Sequence, residues 1–391
     1  MTVVDKPART ADGVLRAVQD LAPTIVARAA EIEAARRVPA DLLDELIGTG
    51  CFRMLLPSSH GGAAADLPTA MRALETLATA DASVAWTVGI GAGAFLDLVG
   101  LPRTSFDDIV GTAPEVIGAG VFRPAGTAVP VDGGYRVTGR WSFASGCEHA
   151  AWIYGNCTVP GDGAEEDGPP EMRIAVFSPG EVTIEDTWHV SGLRGTGSHH
   201  FRVDDVFVPA ERTLDVMGDP PCLDEPIVRA PLLSALALPM ASIALGIARG
   251  ALDDIVALAT GKVPLLASGS LSTNPLFQYE LATAETELRA ARAVAYEQAE
   301  TIWASAVRGG EPTMEDRARA RAASAWATAR SAAIVDMAYR SGGGTTLYSD
   351  HPLQRRLRDV HAITQHFLVK ADVLTAAGAV LAGHDPGLPL F

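Results

Sequence analysis

The side chains with most chemical promise are a serine closing a short polar run and several scattered histidines. Residues 139–146 read Gly-Arg-Trp-Ser-Phe-Ala-Ser-Gly. Polar and small residues at the end of an alternating run can set hydroxyls and backbone N–H groups against a flat ligand. The same residues also read as a strand running into a turn. Histidine titrates near neutrality and suits proton transfer. His361 and His366 are five positions apart, about 140° around a helix, so they cannot both face one pocket. His199 and His200 are neighbours in an alternating run and face opposite sides. His60 stands just before Gly61 and Gly62. Gly342 to Gly344 read on their own as an inter-helix turn. Cys51, Cys147, Cys157 and Cys222 make no Cys-x-x-Cys pair and no zinc-like spacing with histidine. They read as buried thiols, and no metal site is expected.

Three kinds of segment must position these residues. From about 11 to 112 apolar residues recur at helical steps, punctuated by Pro23 and Pro39. Pro39 fits the first turn of a new helix that Gly48 and Gly50 stop. From about 113 to 215 the period becomes two. Asp132-Gly133-Gly134 between two alternating runs signals a hairpin. RIAVFSP, VTIEDTW and FRVDDVFVP read as further strands, and the acidic, Pro/Gly-rich 161–171 as a solvated loop. From about 225 the chain is helical again. Leu281, Ala284, Leu288, Ala291, Ala295, Ala299, Ile302 and Ala306 form one long apolar stripe, and Thr313 with Glu315 and Asp316 opens the next helix. The expectation is an α+β chain with segregated layers: a helical domain over 1–112, a β domain over 113–220 and a helical bundle over 221–391.

The net charge is −16, with 48% hydrophobic and 20% charged residues. No basic stripe is available for a nucleic-acid backbone. No membrane span is expected, and MTVVDKPARTADG has no apolar core of a secretory signal, so the expected location is cytoplasmic.

Four stretches together resemble the acyl-CoA dehydrogenase superfamily, in its order and across nearly the whole chain. They are FRMLLPSSHGG (52–62), YRVTGRWSFASG, SGLRGTGSHHFRVDDVFVP and SGGGTTLYSDHPLQRRLRD (341–359). The resemblance implies an N-terminal helical domain, a central β-barrel or sandwich and a C-terminal four-helix bundle. In the dehydrogenases a Glu after the Arg-Asp pair removes a substrate proton. Counting from Arg358-Asp359, that position is Phe367, preceded by His366, and a phenyl ring takes no proton. Ser145 falls where the dehydrogenases carry a flavin-facing Thr, and Phe143 where they carry a Trp. Ser145-Gly146 followed by Glu148-His149-Ala150, and the His-Pro-Leu-Gln-Arg phrase, resemble the two-component, reduced-flavin-dependent monooxygenase branch.

That branch implies reduced FAD or FMN, O2 as co-substrate, a separate NAD(P)H:flavin reductase and a homotetramer. It implies a C4a-hydroperoxide that hydroxylates a small phenol- or indole-like aromatic or N-oxygenates an amine. Ser145 then serves the flavin N5 and His366 is the catalytic base. Phe143, Gly146, Trp188, Arg194, Thr196 and Ser198 edge the isoalloxazine. Gly342, Gly343 and the Phe277-Gln278 pair hold the adenosine half across a subunit boundary, which favours FAD. His60, Trp86 and His361 are expected to line the substrate cavity. Two other readings stand beside this one: an FAD-dependent acyl-CoA dehydrogenase or desaturase, which should purify yellow, and a non-catalytic member that binds a ligand or partner.

Overall fold

A computed structural model of the chain describes residues 10–111, 113–160, 171–215 and 217–388. The acidic segment read as a loop lies, but for Glu171, outside the described residues, as does the stretch before Thr10. The first block holds helices α1 (Ala11–Ala35), α2 (Ala40–Thr49), α3 (Leu67–Ala80), α4 (Ala82–Gly93) and α5 (Arg103–Val110). Pro39 caps α2, which ends at Gly50 in the left-handed region, φ 83°. Pro23 does not punctuate: α1 runs straight through it. The lost backbone bond is outweighed by burial of Val14, Val18, Leu21, Ile25, Ala29 and Ile32 along one face, since packing of an apolar stripe supplies most helix stability in a protein.

Among the described residues seven strands follow: β1 (Gly118–Val131), β2 (Gly134–Ala144), β3 (Trp152–Thr158), β4 (Met172–Phe177), β5 (Thr183–Glu185), β6 (His199–Pro209) and β7 (Thr213–Leu214). They form one mixed sheet in the order β5-β6-β2-β1-β3-β4-β7, with β1 and β3 parallel. The β1–β2 hairpin turns at Asp132-Gly133, with Val131 opposite Gly134 and Gly133 at φ 76°. Trp141, fully buried, is the sheet's packing centre. It stacks on Phe201 with ring centroids 4.8 Å apart and donates from Nε1 to Asn156 O at 2.7 Å. Gly126, Gly139 and Gly155 clear its ring, because a Cβ at any of them would lie 2.3–2.5 Å from an indole atom.

The last block holds α6 (Pro226–Arg229), α7 (Leu232–Gly261), α8 (Pro275–Val307), α9 (Met314–Gly342), α10 (Pro352–Ile363) and α11 (Asp372–Leu381). Helix α7 is long and apolar enough to cross a membrane, with mean hydropathy 1.7, but 78% of that window is buried inside the protein. Its neighbours α3, α4, α8, α9 and α10 make it the central core helix. The stripe on α8, half-buried Leu281 apart, is buried within this same chain. Its apolar area is spent on α9 and α7, so it carries no argument for the homotetramer that the resemblance implies. Thr313 caps α9 in a reciprocal box with Asp316.

Candidate active site

Strand β2 ends in an irregularity, because its register with β6 shifts between Trp141 and Ala144. Within it Phe143 takes φ 71°, a costly conformation for a bulky residue of the kind often held at functional sites. The kink turns the ring outward, 64% exposed, at the edges of Trp188 (6.1 Å) and His200 (6.0 Å). An aromatic shelf thus stands at the strand end.

Two residues on, Ser145 is buried and joins a chain of hydroxyls. Trp86 Nε1 donates to Ser145 Oγ at 3.0 Å. Ser145 Oγ lies 2.7 Å from Ser198 Oγ, which lies 2.6 Å from Thr196 Oγ1. Thr196 donates to Leu193 O at 2.8 Å. The direction of the whole chain follows, because a carbonyl only accepts. Thr196 has spent its proton on Leu193, so Ser198 donates to Thr196 and Ser145 donates to Ser198. The Ser145 proton points inward, and its remaining lone pair is an acceptor for any outside donor.

Trp86 links this chain to His366. The two rings meet edge to face with centroids 5.1 Å apart. His366 follows α10 in a turn where Leu368 N donates to its Nδ1 at 3.4 Å, which leaves the proton of the neutral ring on Nε2. Burial first, then the nearby Arg321 charge, push this imidazole down to about 4. It is uncharged at neutral pH.

The loop from Trp188 to Ser198 is tied down from several sides. Trp188 Nε1 donates to Leu193 O at 3.0 Å, and His199 Nδ1 accepts from the amides of Thr187 (3.1 Å) and Trp188 (3.3 Å). Leu193 N donates to Asp359 Oδ1 at 2.6 Å, and Gly195 N to Ser83 Oγ at 3.1 Å. Burial and then the Asp81 charge push Asp359 up to about 7. Arg194 reaches Glu33 at 3.6 Å, and Arg358 pairs with the same carboxylate at 2.6 Å. His199 therefore supports Trp188 from behind, while His200 faces the Phe143 shelf. Gly146 is left-handed, φ 71°, and its N donates to Thr196 O at 2.9 Å.

The other expected site residues fall elsewhere. His60 is buried with both ring nitrogens engaged, by Asp107 Oδ1 (2.8 Å) and Ser59 Oγ (3.0 Å), and its ring meets Phe106. It is a packing histidine rather than a cavity wall. His361 is exposed and bonded to Asp336 Oδ1 at 2.8 Å. Phe277 is buried in its own chain, so it cannot reach into a neighbour; Gln278 is exposed, donating to Ser272 O at 2.9 Å. Gly343 takes φ 55° beside Lys262, whose Nζ donates to Thr345 Oγ1 at 2.6 Å. Ser83 and Arg321 were not foreseen, since each lies in a helix and has no local motif that marks it; Asp359 stood out only as half of the Arg358-Asp359 pair, not as the clamp on Leu193. Among the described residues no cluster of three or more His, Cys, Asp or Glu can hold a metal ion; Cys51, Cys147 and Cys157 are buried and Cys222 is half-buried.

A flat, partly apolar group fits this arrangement. The exposed Phe143 shelf offers ring contact, and the Ser145 lone pair offers an acceptor beside it. Residues 11–100 match the family model for the acyl-CoA dehydrogenase N-terminal domain, and residues 238–371 the one for its C-terminal domain. The chain is 33% identical to an indole-3-acetate monooxygenase of Pseudomonas putida, over 92% of this chain and 91% of that one. It is 31% identical to the oxygenase component of an FADH(2)-dependent resorcinol hydroxylase of Rhizobium sp., over 99% and 98%. The crystal structure of 3-HSA hydroxylase from Rhodococcus sp. RHA1 superposes with a TM-score of 0.88 at 31% identity, covering 95% of this chain and 97% of that one.

Proposed function

Since the chain belongs to the acyl-CoA dehydrogenase family, among the oxygenase subunits of two-component flavin-dependent monooxygenases, we propose that it hydroxylates a small aromatic, phenol- or indole-like, with reduced flavin and O2. Reduced flavin, when bound, would supply two electrons and the activated oxygen. One oxygen atom of O2 enters the substrate as hydroxyl, the other leaves as water, and oxidised flavin is released. A separate NAD(P)H:flavin reductase supplies the next reduced flavin.

The observation that carries this reading is the one-way hydroxyl chain ending at Ser145. Reduced flavin carries a proton on N5 and oxidised flavin does not. A serine whose own proton is committed inward can accept from N5–H but donates nothing outward. Ser145 therefore favours the reduced ring and holds its N5 proton, and holding that proton suppresses loss of hydrogen peroxide. Phe143 and His200 offer the apolar face. The Gly342-Gly343 turn with Lys262 offers backbone and a cation to phosphate, which favours FAD over FMN. Exposed Leu276, Tyr279, Leu347 and Tyr348 flank that turn and α8's start, an apolar rim suited to the neighbouring subunit of a homotetramer.

His366 acts on the substrate. Being neutral, it can hold or move a proton at the substrate oxygen or nitrogen. The resting tautomer presents Nε2–H as a donor. Serving as the base that makes a phenol or indole electron-rich requires that proton to move to Nδ1. The long Leu368 bond would then be lost, at a cost of about 0.5–1.5 kcal/mol. The dehydrogenase alternative lacks a carboxylate here, because Phe367 stands at the position of the expected Glu.

The test has two readouts. Equilibrium binding under anaerobic conditions should show reduced flavin held more tightly than oxidised flavin, with the gap narrowed in Ser145→Ala. Single-turnover mixing with O2 should show an adduct absorbance before oxidised flavin appears. Equal affinity for both redox states, with reduction of bound flavin by an acyl-CoA, would overturn the proposal.

A further inference from the structure

Arg321 of α9 is 3% exposed and forms no ion pair among the described residues. Its Nη1 donates to Leu368 O at 2.8 Å and Leu233 O at 3.4 Å. Nε is buried with no partner, and Nη2 has no protein acceptor among the described residues. Another buried arginine shows what a structural role looks like. Its Nε is unpartnered too, but Arg53 spends both terminal nitrogens on four carbonyls, of His60, Val110, Gly111 and Val116. Buried Glu75 and Asp81 each face an arginine, Arg292 at 3.3 Å and Arg355 at 4.0 Å. Arg321 has neither arrangement, and a buried unpaired charge is costly. Burial alone pushes this guanidinium down to about 10, so it keeps its charge at neutral pH.

Its position gives that charge a use. Leu368 lies two residues past His366, whose ring meets Trp86. Leu233 lies at the start of α7, one turn before Leu236, whose Cδ2 would touch a Cβ at Gly93 of α4 at 3.1 Å. Along α4, Gly89, Ile90 and Gly91 are only half-buried in a helix that is otherwise buried, and Phe122, Leu233 and Leu236 are half-buried too. Half-buried apolar residues of α4, β1 and α7 thus lie near the groups that Arg321 touches, and Arg321 has no counter-charge among the described residues.

We infer that Arg321 is a specificity determinant that receives the carboxylate of an anionic aromatic substrate while His366 addresses its ring. This rests on the monooxygenase reading above. An apolar pocket with one desolvated guanidinium binds a carboxylate through charge-assisted hydrogen bonds, and rejects the neutral amide of the same shape.

Two probe pairs test it on the full-length protein with reduced flavin and O2: indole-3-acetate against indole-3-acetamide, and 3-hydroxybenzoate against 3-hydroxybenzamide. In the wild type each acid should exceed its amide by about 10- to 100-fold in kcat/KM, mostly through KM. Arg321→Lys should keep part of that preference, and Arg321→Gln should reduce it to near unity by raising KM for the acids alone. A wild type that prefers the amides, or treats acid and amide alike, overturns the inference without needing a folded variant. So does an Arg321→Gln protein that still prefers the acids. Failure of the monooxygenase reading looks different: the wild type would then form no oxygen adduct and hydroxylate neither member of either pair.

Discussion

Replacing Ser145 by alanine removes one oxygen and strands three partners. Trp86 Nε1–H loses its acceptor at 3.0 Å, Ser198 Oγ loses its donor at 2.7 Å, and the N5–H of reduced flavin loses the lone pair proposed to hold it. A buried donor left unpaired costs about 1–3 kcal/mol, whereas a neutral bond exchanged for water costs about 1. Trp86 is buried, so the first figure applies to the apo protein, which should lose about 1–3 kcal/mol of stability. On the bound flavin the same loss, at about 1.4 kcal/mol per tenfold, shortens the adduct's lifetime by roughly 10- to 100-fold. The assay is stopped-flow mixing of the reduced complex with O2, paired with quantitation of hydrogen peroxide. Ser145→Thr, which keeps the hydroxyl, should recover most of the lifetime. Trp86→Phe keeps the ring against His366 but removes its N–H. Ser145 then retains its inward donation and gains a free lone pair, so the adduct should survive better than in Ser145→Ala. A Ser145→Ala protein with unchanged adduct lifetime and unchanged peroxide yield would refute the directional argument, whatever its stability.

His366→Ala should leave the adduct lifetime nearly intact and slow product formation by about 100- to 10,000-fold, read by single-turnover product analysis. His366→Gln separates the two proton roles, because an amide can donate as Nε2–H does but cannot take a proton: substantial activity marks a donor, and an alanine-like loss marks a base. Phe143→Ala, at an exposed side chain, should weaken reduced-flavin binding by equilibrium dialysis while the melting temperature of the apo protein stays within about a degree. Stability should fall as pH drops from 6.5 towards 4, because His149 and His366 are pushed down from 6.5 to about 4, so the unfolded chain binds protons that the folded chain refuses. Asp97 has the opposite sign. Burial raises it from 3.8 to about 6, so its contribution is lost as pH rises through that window. Asp97→Asn can still accept the Tyr154 hydroxyl bond and should remove that fall in denaturation midpoints between about pH 4 and 6.

Much of the scaffold was legible because periodicity and turn chemistry agree with the tertiary structure. Asp132-Gly133 makes its hairpin, Pro39 opens its helix and Thr313 caps its helix for local reasons. Pro23 misled because a local rule was overruled by six buried side chains on one face of α1. The α8 stripe was legible as apolar, but an apolar face does not say whether its cover comes from the same chain. At the site, Ser145 and His366 stood out through resemblance, yet their connection passes through the indole N–H of Trp86, 59 residues before the serine. Spacing cannot reveal such a bridge. His60 looked like a cavity residue until Asp107 and Ser59 were seen to take both nitrogens. Arg321 sits in the run Arg317-Ala-Arg319-Ala-Arg321, where nothing in the residue types marks one arginine as buried. Only packing distinguishes it from Arg319, which pairs on the surface with Glu315.

The loop between Ser191 and Gly195 stitches the two ends of the chain together. Its carbonyl and amide groups are held by Arg358 and Asp359 near the C-terminus, and by Ser83 from the first hundred residues. Gly192 packs so closely that a Cβ there would lie 2.1 Å from Arg358 O. A fragment ending near residue 220, at the apparent seam between strands and helices, would leave the Leu193 amide without its carboxylate and the loop without its clamp. The chain therefore resists division into autonomous pieces. In hydrogen–deuterium exchange, the Leu193 and Gly195 amides, though in a loop, should exchange as slowly as the core helices, and should open only when the terminal helices detach.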